Sequence, residues 1–260
     1  MKLVSLNIEG GARGKNFFKY IRARAKTADI FCFQEVFSSK KSLTVGFGER
    51  TNIFGDLKRQ LRGFNNVSLP VSLKMGEFYK TGFRVEQRLA IFYKRNLTVK
   101  KHFGKHVFGT LNGEVDFEKG KEANAVQCAK IISPKGSFWL ANFHGLSRPG
   151  NKLDAPARIR QSKKLVSVLD GLTGPKILCG DFNLMPQTES VKIIERAGMK
   201  NLIKKYKIKN TRNSISWKRY HNRQSFADFT FVSSGIKVKN FKVPYVLASD
   251  HLPMVLEFEI

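Results

Sequence analysis

Eight short runs of branched and aromatic residues constrain what this chain can fold into. They are Lys2–Ile8, Ile30–Val36, Arg88–Tyr93, Ala125–Ile132, Ser137–Phe143, Lys176–Gly180, Phe226–Val232 and Met254–Ile260. Each has strand length and strand composition. Ser137-Phe138-Trp139-Leu140 alternates between two faces, whereas Ile177-Leu178-Cys179 is apolar throughout and reads as buried on both. Helix-period segments lie between the runs. Phe17, Phe18, Ile21 and Ala25 form one apolar stripe with Lys and Arg opposite. Asp154 is placed to cap a second helix, with Ile159, Leu165, Val166 and Leu169 inward and Gly171 at its end. A third helix runs from about Thr188 to Arg196 and stops at Gly198. The region from Phe37 to Phe83 reads as long surface loops around one helical stretch, Asn52 to Leu61. No repeat, low-complexity tract or linker interrupts the pattern, so residues 1–260 are expected to form one domain. The expected class is α/β, a four-layer sandwich of two mixed sheets packed face to face with helices outside. Strand-end loops from both sheets would then converge on one edge.

The chain has 260 residues, 42% of them hydrophobic, enough for a sizeable core. Its 47 Lys and Arg outnumber 20 Asp and Glu, giving a net charge of +27. Such a surface attracts polyanions, nucleic acid first and anionic membrane second, unless the charge only reflects a generally basic proteome. The densest stretch, Lys192 to Arg223, is either a phosphate-gripping face or a solvated helix and loop. No stretch approaches the roughly 20 apolar residues of a membrane-spanning helix. The first run follows Met1 directly, which leaves no room for a signal peptide. Cys32, Cys128 and Cys179 lie inside apolar runs and read as buried free thiols, neither a disulfide frame nor a zinc site. A cytoplasmic monomer is expected.

Two tags close apolar runs, Gly180-Asp181-Phe182-Asn183 and Ser249-Asp250-His251. Three further strand-end segments carry polar groups: Ser5-Leu6-Asn7-Ile8-Glu9-Gly10, Phe33-Gln34-Glu35-Val36 and Asn142-Phe143-His144-Gly145-Leu146. Their chemistry suits a divalent metal and a phosphate ester. Magnesium prefers hard oxygen ligands and keeps several waters, so one or two carboxylates suffice. Glu35 is the first candidate ligand, with the Asn7 carboxamide beside it and Asp250 across the site. Asp181 and Asn183 are two apart and point the same way in extended chain. One can hold or deprotonate an attacking water while the other bonds a phosphate oxygen. A lone Asp-x-Asn would equally make a turn into Pro186. His251 needs a partner to fix its tautomer.

In this order and at these strand ends, the five segments closely resemble the endonuclease/exonuclease/phosphatase superfamily of metal-dependent phosphoesterases, from residue 5 to residue 254. The resemblance implies that Asp228 is the aspartate that binds His251, and that His251 either takes a proton from water or sits protonated against the phosphate. His144 places the chain with the pancreatic-type deoxyribonucleases, sphingomyelinases and tyrosyl-DNA phosphodiesterases. AP endonucleases of the exonuclease-III type carry a tyrosine there. A second His supplies a donor to the leaving oxygen or a clamp on charge at phosphorus. Glu86 is a candidate to orient His144, with Gln87 equally close. Arg148 could reach a phosphate, while Arg158 and Arg160 are expected on a helix surface. Trp217, Arg219, Tyr220 and Arg223 mix aromatic and basic groups that can stack a base and hold a phosphate, or Trp217 can simply plug the core. His102, His106 and His221 read as surface loop residues. Gly10 to Gly14 lacks the ending of a nucleotide-binding loop. The implied activity is a magnesium-dependent (or manganese-dependent) phosphodiesterase that hydrolyses nucleic acid, DNA first. The alternatives are a lipid headgroup, inositol phosphate or phosphotyrosyl-DNA substrate, and a basic binding module without catalysis.

Overall fold

The computed structural model describes residues 1–220 and 224–260. In chain order, β1 (Lys2–Asn7) leads through α1 (Gly14–Ala25) to β2 (Ile30–Ser38). A small hairpin of β3 (Thr44–Val45) and β4 (Glu49–Arg50) precedes α2 (Ile53–Gln60), β5 (Phe64–Ser72), α3 (Met75–Phe78) and β6 (Glu86–Lys94). Then come β7 (Thr98–Phe108), β8 (Asn124–Ser133), β9 (Gly136–His144), α4 (Pro156–Asp170), β10 (Lys176–Asp181) and α5 (Glu189–Arg196). The chain closes with β11 (Lys200–Asn201), α6 (Leu202–Lys205), α7 (Ser214–Tyr220), β12 (Asp228–Val232), β13 (Lys237–Lys242) and β14 (Met254–Glu259).

Two six-stranded mixed sheets result, ordered β13-β14-β1-β2-β6-β5 and β11-β12-β10-β9-β8-β7. Each has a parallel pair at its centre, β1 with β2 and β9 with β10. The period-2 rule explains the packing of β1. Leu3 points into the core between the sheets, while Val4 and Leu6 point outward into the cluster that holds Phe17, Ile21 and Leu57 of α1 and α2. On the other sheet, Leu165 and Leu169 of α4 and Val191 and Ile194 of α5 are buried with Leu178 and Phe231. Helices therefore cover both outer faces, as the alternation of apolar runs requires.

All eight expected runs form or contain strands. The region from Phe37 to Phe83 is more ordered than expected, because it holds β5 and the β3–β4 hairpin besides α2. Asn52 caps α2 through Gly55 N–H at 3.2 Å. Asp154 does not cap α4, whose N-cap is Ala155 followed by Pro156. Its carboxylate instead accepts hydrogen bonds from Glu189 N at 2.6 Å and Ser190 N at 3.0 Å, and so satisfies the free N–H groups at the start of α5. Arg158 is buried, not on a helix surface; its guanidinium donates to the carbonyls of Leu146, Ser147, Pro149 and Leu153 and pins the loop after β9. His102 and His106 lie on β7, half-buried, with Gln127 and the Val71 carbonyl as partners. The three cysteines are buried and free. Among the described residues, no helix is long and apolar enough to cross a membrane.

Candidate active site

The strand registers assemble the site. Asp181, the last residue of β10, lies opposite His144 of β9 on one side and Asp228 of β12 on the other. In the facing sheet, Asn7 ends β1 opposite Gln34 of β2. A buried polar latch aligns the two sheets: Gln34 Nε2 donates to Asn142 Oδ1 at 2.6 Å, and Asn142 Nδ2 donates to Phe33 O at 3.1 Å. Because Glu35 follows Gln34 and His144 lies two residues beyond Asn142, this latch sets where both functional groups emerge. Glu35 sits in an irregularity of the β2–β6 pairing with φ 54°, a left-handed conformation that turns its side chain out of the pleat toward the cleft. Gly180 has φ 142°, and a Cβ there would fall 1.9 Å from the Phe143 carbonyl oxygen, so only glycine lets β10 approach β9 before Asp181.

The Asn7 amide nitrogen lies between two carboxylates, 2.9 Å from Glu35 Oε1 and 2.9 Å from Asp181 Oδ2. Its carboxamide oxygen accepts from Glu9 N at 3.1 Å. His144 Nε2 stands 3.6 Å from Glu35 and 3.8 Å from Asp181. Glu35, His144 and Asp181 thus offer ligand atoms within 4.8 Å of one another, as do Asp181, Asp228 and His251. A donor N–H held where two carboxylates converge marks a place that favours positive charge, so the oxygen-rich set around Glu35 fits a hard divalent cation. Asp250 stands outside that set: Arg212 donates to its Oδ2 at 2.8 Å.

His251 Nδ1 is 2.9 and 3.0 Å from the two oxygens of Asp228, which orient the ring, and its Nε2 lies 3.7 Å from Asp181. Burial disfavours its charge, but Asp228, Asp250 and Asp181 outweigh burial and raise it to about 9. The surrounding carboxylates therefore favour the protonated imidazole. Burial likewise opposes the charge on Asp181, yet His251, Lys152 and His144 bring it down to about 2. Ser249 Oγ donates to Asn7 O at 2.7 Å and ties the Ser-Asp-His tag to the end of β1.

Asn183 reaches the cleft by a turn rather than an extended segment. Its φ is 53°, and its N–H donates to Asp181 Oδ1 at 2.8 Å. Its Nδ2 donates to Gly145 O at 3.0 Å, and its Oδ1 accepts from Lys152 Nζ. Glu86 does not orient His144, because Arg84 and Arg88 engage its carboxylate at the start of β6. Arg148 lies on the rim of the cleft, exposed, its Nε donating to Phe117 O at 3.2 Å. Trp217 is half-buried on α7 and is not among the residues that line the cleft; Arg219 lines it instead, paired with Glu9 and stacked 4.2 Å from the Phe47 ring centre. Arg223 and His221 lie outside the described residues. The cleft has a volume of about 1150 Å³. Lys152 and Arg212 are absent from the site expected from sequence, whereas Arg219 is among the groups named there for holding phosphate. The basic stretch Lys192–Arg223 signals Arg212 only in general terms, and no local pattern marks Lys152.

Two facing mixed sheets with this carboxylate, amide and imidazole set at one edge define a phosphoesterase architecture. The model of the Endonuclease/Exonuclease/phosphatase family matches residues 4–251, and the chain belongs to that family, whose members are hydrolytic phosphoesterases. No curated protein matches by sequence. Among solved structures, a family protein from Bacteroides vulgatus superposes with TM-score 0.72 at 18% identity, covering 100% of this chain and 98% of that one. The human Nocturnin catalytic domain with bound sulfate gives TM-score 0.70 at 19% identity, covering 100% and 94%. A mannosyl-6-phosphatase from Bacteroides thetaiotaomicron gives TM-score 0.67 at 18% identity, covering all of both chains.

Proposed function

We propose that the protein is a magnesium-dependent phosphodiesterase that hydrolyses nucleic acid, with DNA as its first substrate. The observation that carries this reading is the row His144, Asp181, Asp228 and His251 facing Glu35 and Asn7 in one cleft, on a chain of charge +27. Glu35 would hold the metal, with Asn7 contributing its carboxamide oxygen only if that oxygen turns from Glu9 N toward Glu35, and Asp250 only if it leaves Arg212. When bound, the metal supplies Lewis-acid stabilisation of charge on the phosphate oxygens. Asp181 is a carboxylate that would orient the attacking water and accept its proton as the new P–O bond forms and the ester P–O bond in line with it breaks. Protonated His251, held by Asp228, donates to the phosphate. This favours the charged role for His251 over that of general base. His144 donates to the oxygens that gain charge.

A second reading keeps the chemistry and changes the substrate to a phosphoester with an aromatic or lipid group, such as a phosphotyrosyl adduct or a lipid headgroup. It draws on Phe47 and Phe78, both exposed on the cleft rim. Among the solved structures, the mannosyl-6-phosphatase makes a small phosphate ester a further candidate. A substrate panel decides between these readings. Plasmid, single-stranded DNA, RNA, 5′-phosphotyrosyl oligonucleotide, sphingomyelin and a sugar phosphate are incubated with wild type and Asp181→Asn, with and without chelator. Chelator-sensitive nicking that weakens steeply with salt is expected. Turnover of only the small esters, with a flat salt response, would refute the nucleic-acid reading.

A further inference from the structure

Phosphate has to enter a cleft that is mostly acidic. Nine carboxylates line it against five basic side chains, although basic groups outnumber acids more than twofold in the whole chain. Arg212 is spent on Asp250 and Arg219 on Glu9. Lys80 and Arg148 are exposed at the rim, where water screens them.

Lys152 is different. It is the only buried lysine among the described residues, 5% exposed, on a loop fixed by Arg158 and by Met185 N donating to Lys152 O at 2.9 Å. Its ammonium donates to the neutral Asn183 Oδ1 and forms no ion pair among the described residues. An ammonium carries three donors; Asp181 and Asp228 are near enough to favour its charge, but neither bonds it, and they offset its burial only in part. That arrangement leaves ammonium donors for a directly bonded anion. The bond also fixes the Asn183 amide, since its NH₂ group cannot face another donor; Nδ2 is therefore committed to Gly145 O, away from substrate.

We propose that Lys152 is the phosphate-binding cation of the site, donating to a non-bridging oxygen of the bound phosphate while Asn183 Oδ1 holds its ammonium in place. The proposal rests on the phosphoesterase reading but can be tested without turnover. Inorganic phosphate binding in the presence of magnesium is measured by calorimetry for wild type, Lys152→Met and Lys152→Gln. The glutamine keeps a donor for Asn183 and removes only the charge, so it serves if the methionine variant fails to fold. Phosphate affinity should fall at least about tenfold in the neutral variants, with melting temperature unchanged or raised because a buried charge is gone. On any phosphodiester the wild type cleaves, kcat/KM should fall about 10²- to 10³-fold, and Lys152→Arg should recover part of it. Equal phosphate affinity in wild type and Lys152→Gln, or no phosphate binding by wild type, would overturn the proposal. A lower melting temperature with phosphate affinity retained would assign Lys152 a structural role instead. Lys152-dependent phosphate binding without hydrolysis of any phosphodiester would sink the proposed function and leave this inference standing.

Discussion

Replacing Asp228 by asparagine tests the heart of the site, because it removes the charge that keeps His251 protonated while preserving shape. Burial alone would push His251 below its ordinary 6.5; Asp228, with help from Asp250 and Asp181, lifts it to about 9. The difference between 6.5 and about 9 corresponds to roughly 3 kcal/mol between the two protonation states. At pH 8, a group titrating near 9 is about nine-tenths charged, and one titrating near 6.5 only about one-thirtieth. Loss of protonation therefore costs Asp228→Asn about 30-fold in rate at pH 8, beyond any loss of orientation. At pH 5.5 both forms are charged, and only the orientation term remains. The assay is kcat/KM against pH for both proteins on one phosphodiester, expressed as a ratio so that metal and substrate titrations cancel. The ratio should worsen as pH rises from 5.5 to 8, and the variant's basic limb should move from near 9 to 7 or below. Stability must follow the same sign: a pKa raised on folding stabilises fully below about 6.5, and that contribution is lost as pH rises through about 9. A pH-independent ratio, or a variant that keeps its basic limb near 9, would refute the charged role of His251.

Glu35→Gln retains the hydrogen bond to Asn7 yet removes the charge a divalent cation needs; the magnesium concentration for half-maximal activity should rise at least tenfold, since even groups that only support a ligand cost about 10- to 100-fold. Unchanged metal dependence in a magnesium titration would place the cation elsewhere. Gly180→Ala forces a Cβ to 1.9 Å from a backbone oxygen at φ 142°, so urea denaturation should show a loss of more than about 3 kcal/mol or no soluble protein. A midpoint equal to wild type would mean that β10 and β9 can separate at Asp181 without cost.

The central strands were legible because both their faces are buried, which writes continuous or alternating apolar residues into β1, β2, β9, β10, β12 and β14. β5, β7 and β13 were not, and all three are edge strands. β7 is exposed or half-buried everywhere but Val107, and Lys, His and Gly interrupt its apolar residues; β5 contains Pro70, which an edge accepts. The same division runs through the site. Asn7, Glu35, His144, Asp181 and Asp228 end strands or sit within them, so their convergence follows from register. Lys152 and Arg212 come from loops placed by distant bonds, Met185 to Lys152 in one case and Leu252 N to Thr211 O in the other. Asp154 misled for a related reason: a capping residue carries no label for which helix it caps, and here the tertiary fold presents it to α5 rather than α4.

Charge was the sequence feature with the widest reach and the least resolution. The net +27 does not converge on the cleft: of the basic stretch Lys192–Arg223, the described residues send Arg212 and Arg219 inward, both already paired, while Lys200, Lys204 and Lys205 stay exposed. A field spread over the outside raises the encounter rate with any polyanion and falls with salt, but it does not hold a reacting phosphate in place. Inside, carboxylates dominate, as a site that must hold a cation requires. Attraction and positioning are thus separate functions of separate residues. Removing surface lysines should slow association without changing turnover at saturation. The few groups beside Asp181 should set turnover without altering the salt response, and of the basic groups among them only Lys152 bonds no carboxylate among the described residues.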